Sequence, residues 1–213
     1  MKKLFMGLAM LLLLVCFAGC GTEKPKDTAD QAILAFGELY GYGDTTNAAK
    51  TGMVDSDVNK VKDQFQKAMN QSFAAYKLSP ADQQEMTDYY LKAIKTKMEM
   101  KAKIKTDSDK NPVVSLSFKL LDQQKFTSMI QTNPGMVQLN EIATAMAEEG
   151  QDVTQDPDYP ATMKKILKSC IDNLPMQAEK TVDIECQLAK DKNDKVFWNP
   201  KDVNALANAV GGK

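Results

Sequence analysis

The hydrophobic period changes along this chain, and each change dictates a change of element. Residues 97–105 read KMEMKAKIK, in which Met98, Met100, Ala102 and Ile104 alternate with Glu99, Lys101, Lys103 and Lys105. A period of two sends successive side chains to opposite faces of a strand, so this run predicts one buried face and one solvated face. After the turn cluster TDSDKNP, Val114, Leu116, Phe118 and Leu120 alternate in the same way. Two such runs across a short polar loop predict an antiparallel hairpin. Val182, Ile184, Cys186 and Leu188 alternate with Thr181, Asp183, Glu185 and Gln187, predicting a third strand, and Val196–Trp198 beyond DKNDK a short fourth.

Elsewhere the period is helical. Ala29, Ile33, Phe36 and Tyr40 share one face, behind Thr28 and Gln31 at capping-box spacing and ahead of Gly41 and Gly43 as stops. Val58, Val61, Phe65, Met69, Phe73 and Tyr76 mark a long second helix. Ser79-Pro80-Ala81-Asp82 opens a third, which turns Met86, Tyr90, Ala93 and Ile94 inward. Asp122 caps a stretch carrying Phe126, Met129, Ile130, Leu139, Ile142 and Met146, which Asn133-Pro134-Gly135 kinks or splits. Asp158 and Pro160 begin a helix with Met163, Ile166, Leu167, Cys170, Ile171 and Leu174 on its apolar face, and Asp202 caps a last one over Val203–Val210. The expected architecture is α+β. N-terminal helices and two long central helices pack on one face of a curved antiparallel sheet of about four strands. Residues 27–213 are expected to form a single domain.

The first twenty residues belong to a different logic. Lys2 and Lys3 precede an almost unbroken apolar run of 14 residues, Leu4–Phe17, too short to span a bilayer comfortably. The run ends in Phe17-Ala18-Gly19-Cys20. Small residues before a cysteine, directly after such a run, resemble the lipobox of bacterial lipoproteins, with Phe17 departing from the preferred Leu. The resemblance implies diacylglyceryl transfer to the Cys20 thiol, cleavage between Gly19 and Cys20, and a membrane anchor of two or more acyl chains. It places the protein on the outer face of the cell membrane, or in the outer membrane of a Gram-negative envelope. Competing readings of the segment are an ordinary signal peptide cut elsewhere and an uncleaved anchor. GTEKPK, residues 21–26, reads as a tether. The element order and a plan running from the lipobox through Phe36 to Phe197-Trp198-Asn199-Pro200 resemble uncharacterised Firmicute-type lipoproteins with an NTF2-like, or cystatin-like, fold. That resemblance implies a sheet curled around an apolar cone and carries over no functional residue.

Two absences narrow the chemistry. The chain contains no histidine and no arginine, so all 27 basic residues are lysine. Without histidine there is no Ser-His-Asp or Cys-His nucleophile system and no His-containing zinc site. Without arginine there is no bidentate fork for phosphate or carboxylate. Removal of residues 1–19 takes two lysines and leaves 25 against 28 carboxylates, a net of −3. That charge gives nucleic acid no electrostatic footing. No metal and no cofactor are expected.

The remaining candidates each have an ordinary counterpart. Cys170 and Cys186 form either a disulfide closing a short loop or two buried free thiols. Asp107, Asp109 and Asn111 resemble the opening of a calcium loop, but Pro112 replaces the required glycine and Phe118 the closing glutamate. A solvated turn is the better reading. The acidic loop Glu148–Asp158 binds a cation weakly or has no such role. Lys101, Lys103 and Lys105 form a basic stripe, suited to an anionic wall polymer or simply to a solvated sheet edge. Tyrosines and methionines line a cavity or pack a core. The expected function is non-enzymatic: binding an envelope protein or small apolar ligand, or a structural role. The alternatives are a carboxylate-using envelope enzyme acting on glycan or peptidoglycan and an accessory solute-binding lipoprotein of an uptake system.

Overall fold

A computed structural model describes residues 24–191 and 193–212. Gly19, Cys20 and the rest of the targeting segment lie outside the described residues. Among those described, seven helices and four strands follow in the order α1 (Ala29–Tyr42), α2 (Asp55–Ala74), α3 (Pro80–Lys97), β1 (Lys101–Thr106), β2 (Val113–Phe118), α4 (Gln123–Gln131), α5 (Pro134–Glu148), α6 (Tyr159–Asp172), β3 (Lys180–Lys190), β4 (Val196–Pro200) and α7 (Val203–Val210). The α+β class is the expected one. Within the described residues the chain gathers into two compact units. The first holds the described residues up to Gln66, Met98–Leu120 and those from Ala178 onwards; the second holds Lys67–Lys97 and Leu121–Gln177.

The first unit is built on an open antiparallel sheet in the order β1-β2-β3-β4. Its register sets Ala102 beside Leu116 and Leu116 beside Val182, one apolar row across three strands. Val114, Leu116 and Phe118 are wholly buried. Side chains of this size each contribute about 1.5–3 kcal/mol on leaving water. The layer over this face is α1, which contacts β1, β2 and β4, with α7 beside it. Ile33, Phe36 and Leu39 of α1 are also wholly buried, and Ala29, Ala32, Ala35 and Tyr40 extend the burial round more than one face. Close approach has a local cause: a Cβ at Gly37 would stand 2.7 Å from Met100 Sδ and 3.3 Å from Leu116 Cδ2. Thr28 N–H donates to Gln31 Oε1 at 3.4 Å, the predicted N-terminal cap, and Gly43 ends the helix in the left-handed conformation.

Two expectations change here. The alternation at 97–105 is consumed at its start. Helix α3 continues to Lys97, and β1 starts at Lys101. Because β1 is an edge strand with an irregularity between Ile104 and Thr106, its apolar face is incompletely covered, and Ile104 is 41% exposed.

The second unit is helical. Helix α6 packs on α3, α4 and α5. Met163, Ile166, Leu167, Cys170 and Ile171 of α6 are buried as its period predicts, as are Met86, Tyr90 and Ile94 of α3. Asp122 accepts from Lys125 N–H at 3.1 Å and Asn133 from Gly135 N–H at 3.0 Å, so the predicted break becomes a clean start for α5. On α5 Leu139 is buried, whereas Ile142, predicted to face a core, is 45% exposed.

Candidate functional site

The cysteine pair resolves first. Cys170 and Cys186 are free thiols, so the bridge considered from their spacing does not form. Cys170 is buried on α6, and Cys186 is buried on β3. Asn133 Nδ2 lies 3.8 Å from Cys170 Sγ, and the Cys186 thiol points at the Ile184 carbonyl, 3.6 Å away. Burial pushes the Cys186 thiol up to about 12, and burial also raises that of Cys170. Both are therefore thiols, not thiolates, at neutral pH, and behave as small apolar residues.

The calcium-like residues form a turn. Ser108 Oγ accepts from Lys110 and Asn111 N–H at 3.3 and 3.1 Å, and Asp109 meets Lys24 at 3.5 Å. In the acidic loop, Asp152 Oδ1 accepts from the Thr154 N–H and hydroxyl, which holds its carboxyl below the usual range. Asp156 accepts from Asp158 N–H. These carboxylates serve their own backbone. Among the described residues, no group of three or more Cys, Asp or Glu side chains gathers as a set of metal ligands.

The basic stripe lies on the open face of the sheet. Lys103, Ser115 and Asp183 form one cross-strand row, and Lys101, Ser117 and Thr181 the next. Lys105 pairs with Asp183, which also accepts from Ser115 Oγ at 2.7 Å; Lys201 pairs with Glu185 at 2.8 Å. Those partners hold both carboxyls below their ordinary range. Lys101 and Lys103 have no carboxylate partner among the described residues.

The second unit carries a surface that the sequence did not single out. An open groove of about 560 Å³ runs along α6 in the second unit, lined by Tyr89, Lys164, Lys165, Lys168, Asp172 and Asn173 among others. Lys164 reaches Asp82 at 2.6 Å and Glu85 at 3.0 Å, while Lys168 reaches the other Glu85 oxygen at 2.7 Å. Lys168 Nζ also stands 5.4 Å from the Tyr89 ring centroid, within cation–π range. The Tyr89 hydroxyl donates to Asp172, which raises its pKa. Lysine bonds lower Asp82 and Glu85, and the two carboxylates raise Lys164. Each group is thus held in its neutral-pH form, suited to hydrogen bonding and charge pairing with a polar guest. Lys165 is exposed, with no ion-pair partner among the described residues. In the sequence these residues read as ordinary solvated helix faces. Lys164 and Lys168 at i,i+4 and Asp82 and Glu85 at i,i+3 show a charged face on each helix, but not that α3 and α6 are neighbours.

The methionines and tyrosines are mainly packing residues. Met53, Met69, Met86, Met98 and Met163 are buried, as are Tyr40, Tyr42, Tyr90 and Tyr159.

No protein-family model matches the chain, and no curated protein sequence does either. A solved structure does match in fold: the Bacillus subtilis protein ycdA, provisionally described as a lipoprotein, with a TM-score of 0.50 at 15% identity. The match covers 86% of this chain and 55% of that one, so this chain spans about half the length of its structural neighbour. Among the described residues no helix is long and apolar enough to cross a membrane.

Proposed function

We propose that this chain is a lipid-anchored protein of the cell envelope, held to the outer face of a membrane through Cys20, and that its folded part works by binding rather than by catalysis. The observation that carries the anchor is Ala18-Gly19-Cys20 directly behind a 14-residue apolar run and two lysines. Acyl chains on Cys20, at about 0.8 kcal/mol per buried methylene, hold such a protein on the bilayer. The binding reading draws support from the groove along α6. Asp82 and Glu85, which pair with the groove lysines Lys164 and Lys168, are lowered, whereas a general acid at neutral pH needs a raised carboxyl. The first unit, one helix laid over a four-stranded antiparallel sheet, is read as cystatin-like in plan.

The test is acyl labelling in a bacterial host. The full chain should incorporate labelled fatty acid and sediment with membranes, and Cys20→Ala should do neither. An unlabelled wild-type chain released into the medium would sink the anchor. Turnover of a glycan or peptide substrate that vanishes in Glu85→Gln would instead establish the enzymatic alternative.

A further inference from the structure

Helix α1 runs antiparallel to β1, and this fixes the end of the sheet at which the chain enters the first unit. A Cβ at Gly37 would meet Met100 and Leu116; one turn later, a Cβ at Gly41 would meet Met98 and Met100. Moving towards the C-terminus of α1 therefore moves back towards the start of β1. In the other direction, the eight residues from Gly37 to Ala29 rise about 12 Å. That rise matches three to four residues of strand and reaches Ile104 or Lys105. A separate contact agrees: Lys24 Nζ lies 3.5 Å from Asp109 in the β1–β2 turn. The chain thus enters beside that turn.

Cys20 precedes Lys24 by four residues, which span at most about 14 Å. The six residues of β1 are about 20 Å long, so the tether is shorter than the strand it would have to pass to reach the sheet's other end. At this end Lys24, Lys26, Lys105 and Lys110 are balanced by Asp27, Asp107, Asp109 and Asp183, and Lys101 stands at the opposite end of β1 in the row of Thr181, so the tether rather than charge decides which end meets the membrane.

Resting on the anchor reading, we propose that the β1–β2 turn of the first unit faces the lipid headgroups, because the short tether enters beside it. The opposite end of the sheet, where β1 and β3 both begin, then points away from the membrane.

The experiment uses the full lipidated chain reconstituted in vesicles. A fluorophore is placed at Asp107→Cys in the turn or at Lys180→Cys at the start of β3, and a quencher is carried on the lipid headgroup. The buried thiols of Cys170 and Cys186 do not compete for the label. Quenching at position 107 should exceed that at 180 at least twofold on vesicles containing phosphatidylglycerol. Protein that floats with the vesicles while the two labels quench alike overturns the orientation and leaves the anchor standing. Protein that never joins the vesicles overturns the anchor reading, and this inference with it.

Discussion

Gly52 and Tyr40 show how single residues carry constraint in the first unit. Gly52 adopts a φ of +68°, and a Cβ there would stand 2.4 Å from the Phe197 ring. Gly52→Ala combines left-handed strain, about 1–2 kcal/mol, with displacement of a buried ring. We expect a loss of roughly 2–4 kcal/mol in urea denaturation; a loss under about 1 kcal/mol would mean that loop and ring shift freely. Tyr40 is the opposite case. Its ring is buried and lies parallel to Phe36 at 6.4 Å, but its hydroxyl has no hydrogen-bond partner among the described residues. Burial first, and the Asp57 charge second, push its pKa up to about 12. An unsatisfied buried hydroxyl costs about 1–3 kcal/mol, so Tyr40→Phe should be neutral or stabilising. A clear drop in Tm would show that the hydroxyl is hydrogen-bonded in solution.

At the scale of elements, the helices of the second unit are held by their ends and by one buried stripe each. Asp122→Ala removes the cap of α4 and should cost about 1 kcal/mol. Ile142→Ser on the exposed flank of α5 should lie within about 0.5 kcal/mol of wild type. Equilibrium denaturation of the two variants side by side tests whether the exposed flank is indeed unpacked; a cost at Ile142 exceeding that at Asp122 would contradict it. The helix α5 also shows where periodicity misleads. Its Leu139, Ile142 and Met146 follow the spacing of a buried stripe, yet Leu139 alone of the three is buried. Spacing states which side chains share a face, and the presence of a neighbour decides whether that face is covered. The same reason explains β1. Its alternation is correct, but an edge strand has a partner on one side only, and Ile104 extends past its cover.

For the whole molecule, the absence of histidine sets the pH response. The lowered carboxyls, Asp82, Glu85, Asp152, Asp183, Glu185 and Asp191, contribute stability that is present above the ordinary carboxylate range near about 4 and lost as pH falls through their folded values. Lys164 is raised, so its contribution is present below its ordinary pKa and lost as pH climbs through the folded one. Between about pH 5 and 9 no histidine titrates, and the Cys186 thiol is displaced to about 12. Thermal denaturation should therefore give a flat Tm across that interval and a fall below about pH 4. A step near pH 6.5 would require a group whose titration the structure does not account for.

What the sequence determined alone is local. Each strand, each helix and nearly every cap follows from spacing and from the side chain at the boundary: Thr28, Ser79, Asp122, Asn133 and Asp202 all stand where helices start. The α+β class follows from the order of those elements. Tertiary structure decided everything that depends on which elements meet. It laid α1 and α7 over the sheet, buried Cys170 and Cys186 as free thiols, and brought Lys164 and Lys168 to Asp82 and Glu85. Local spacing is written in a few adjacent residues, whereas the pairing of distant faces depends on how many apolar faces compete for one another. That competition is resolved only when the whole chain packs.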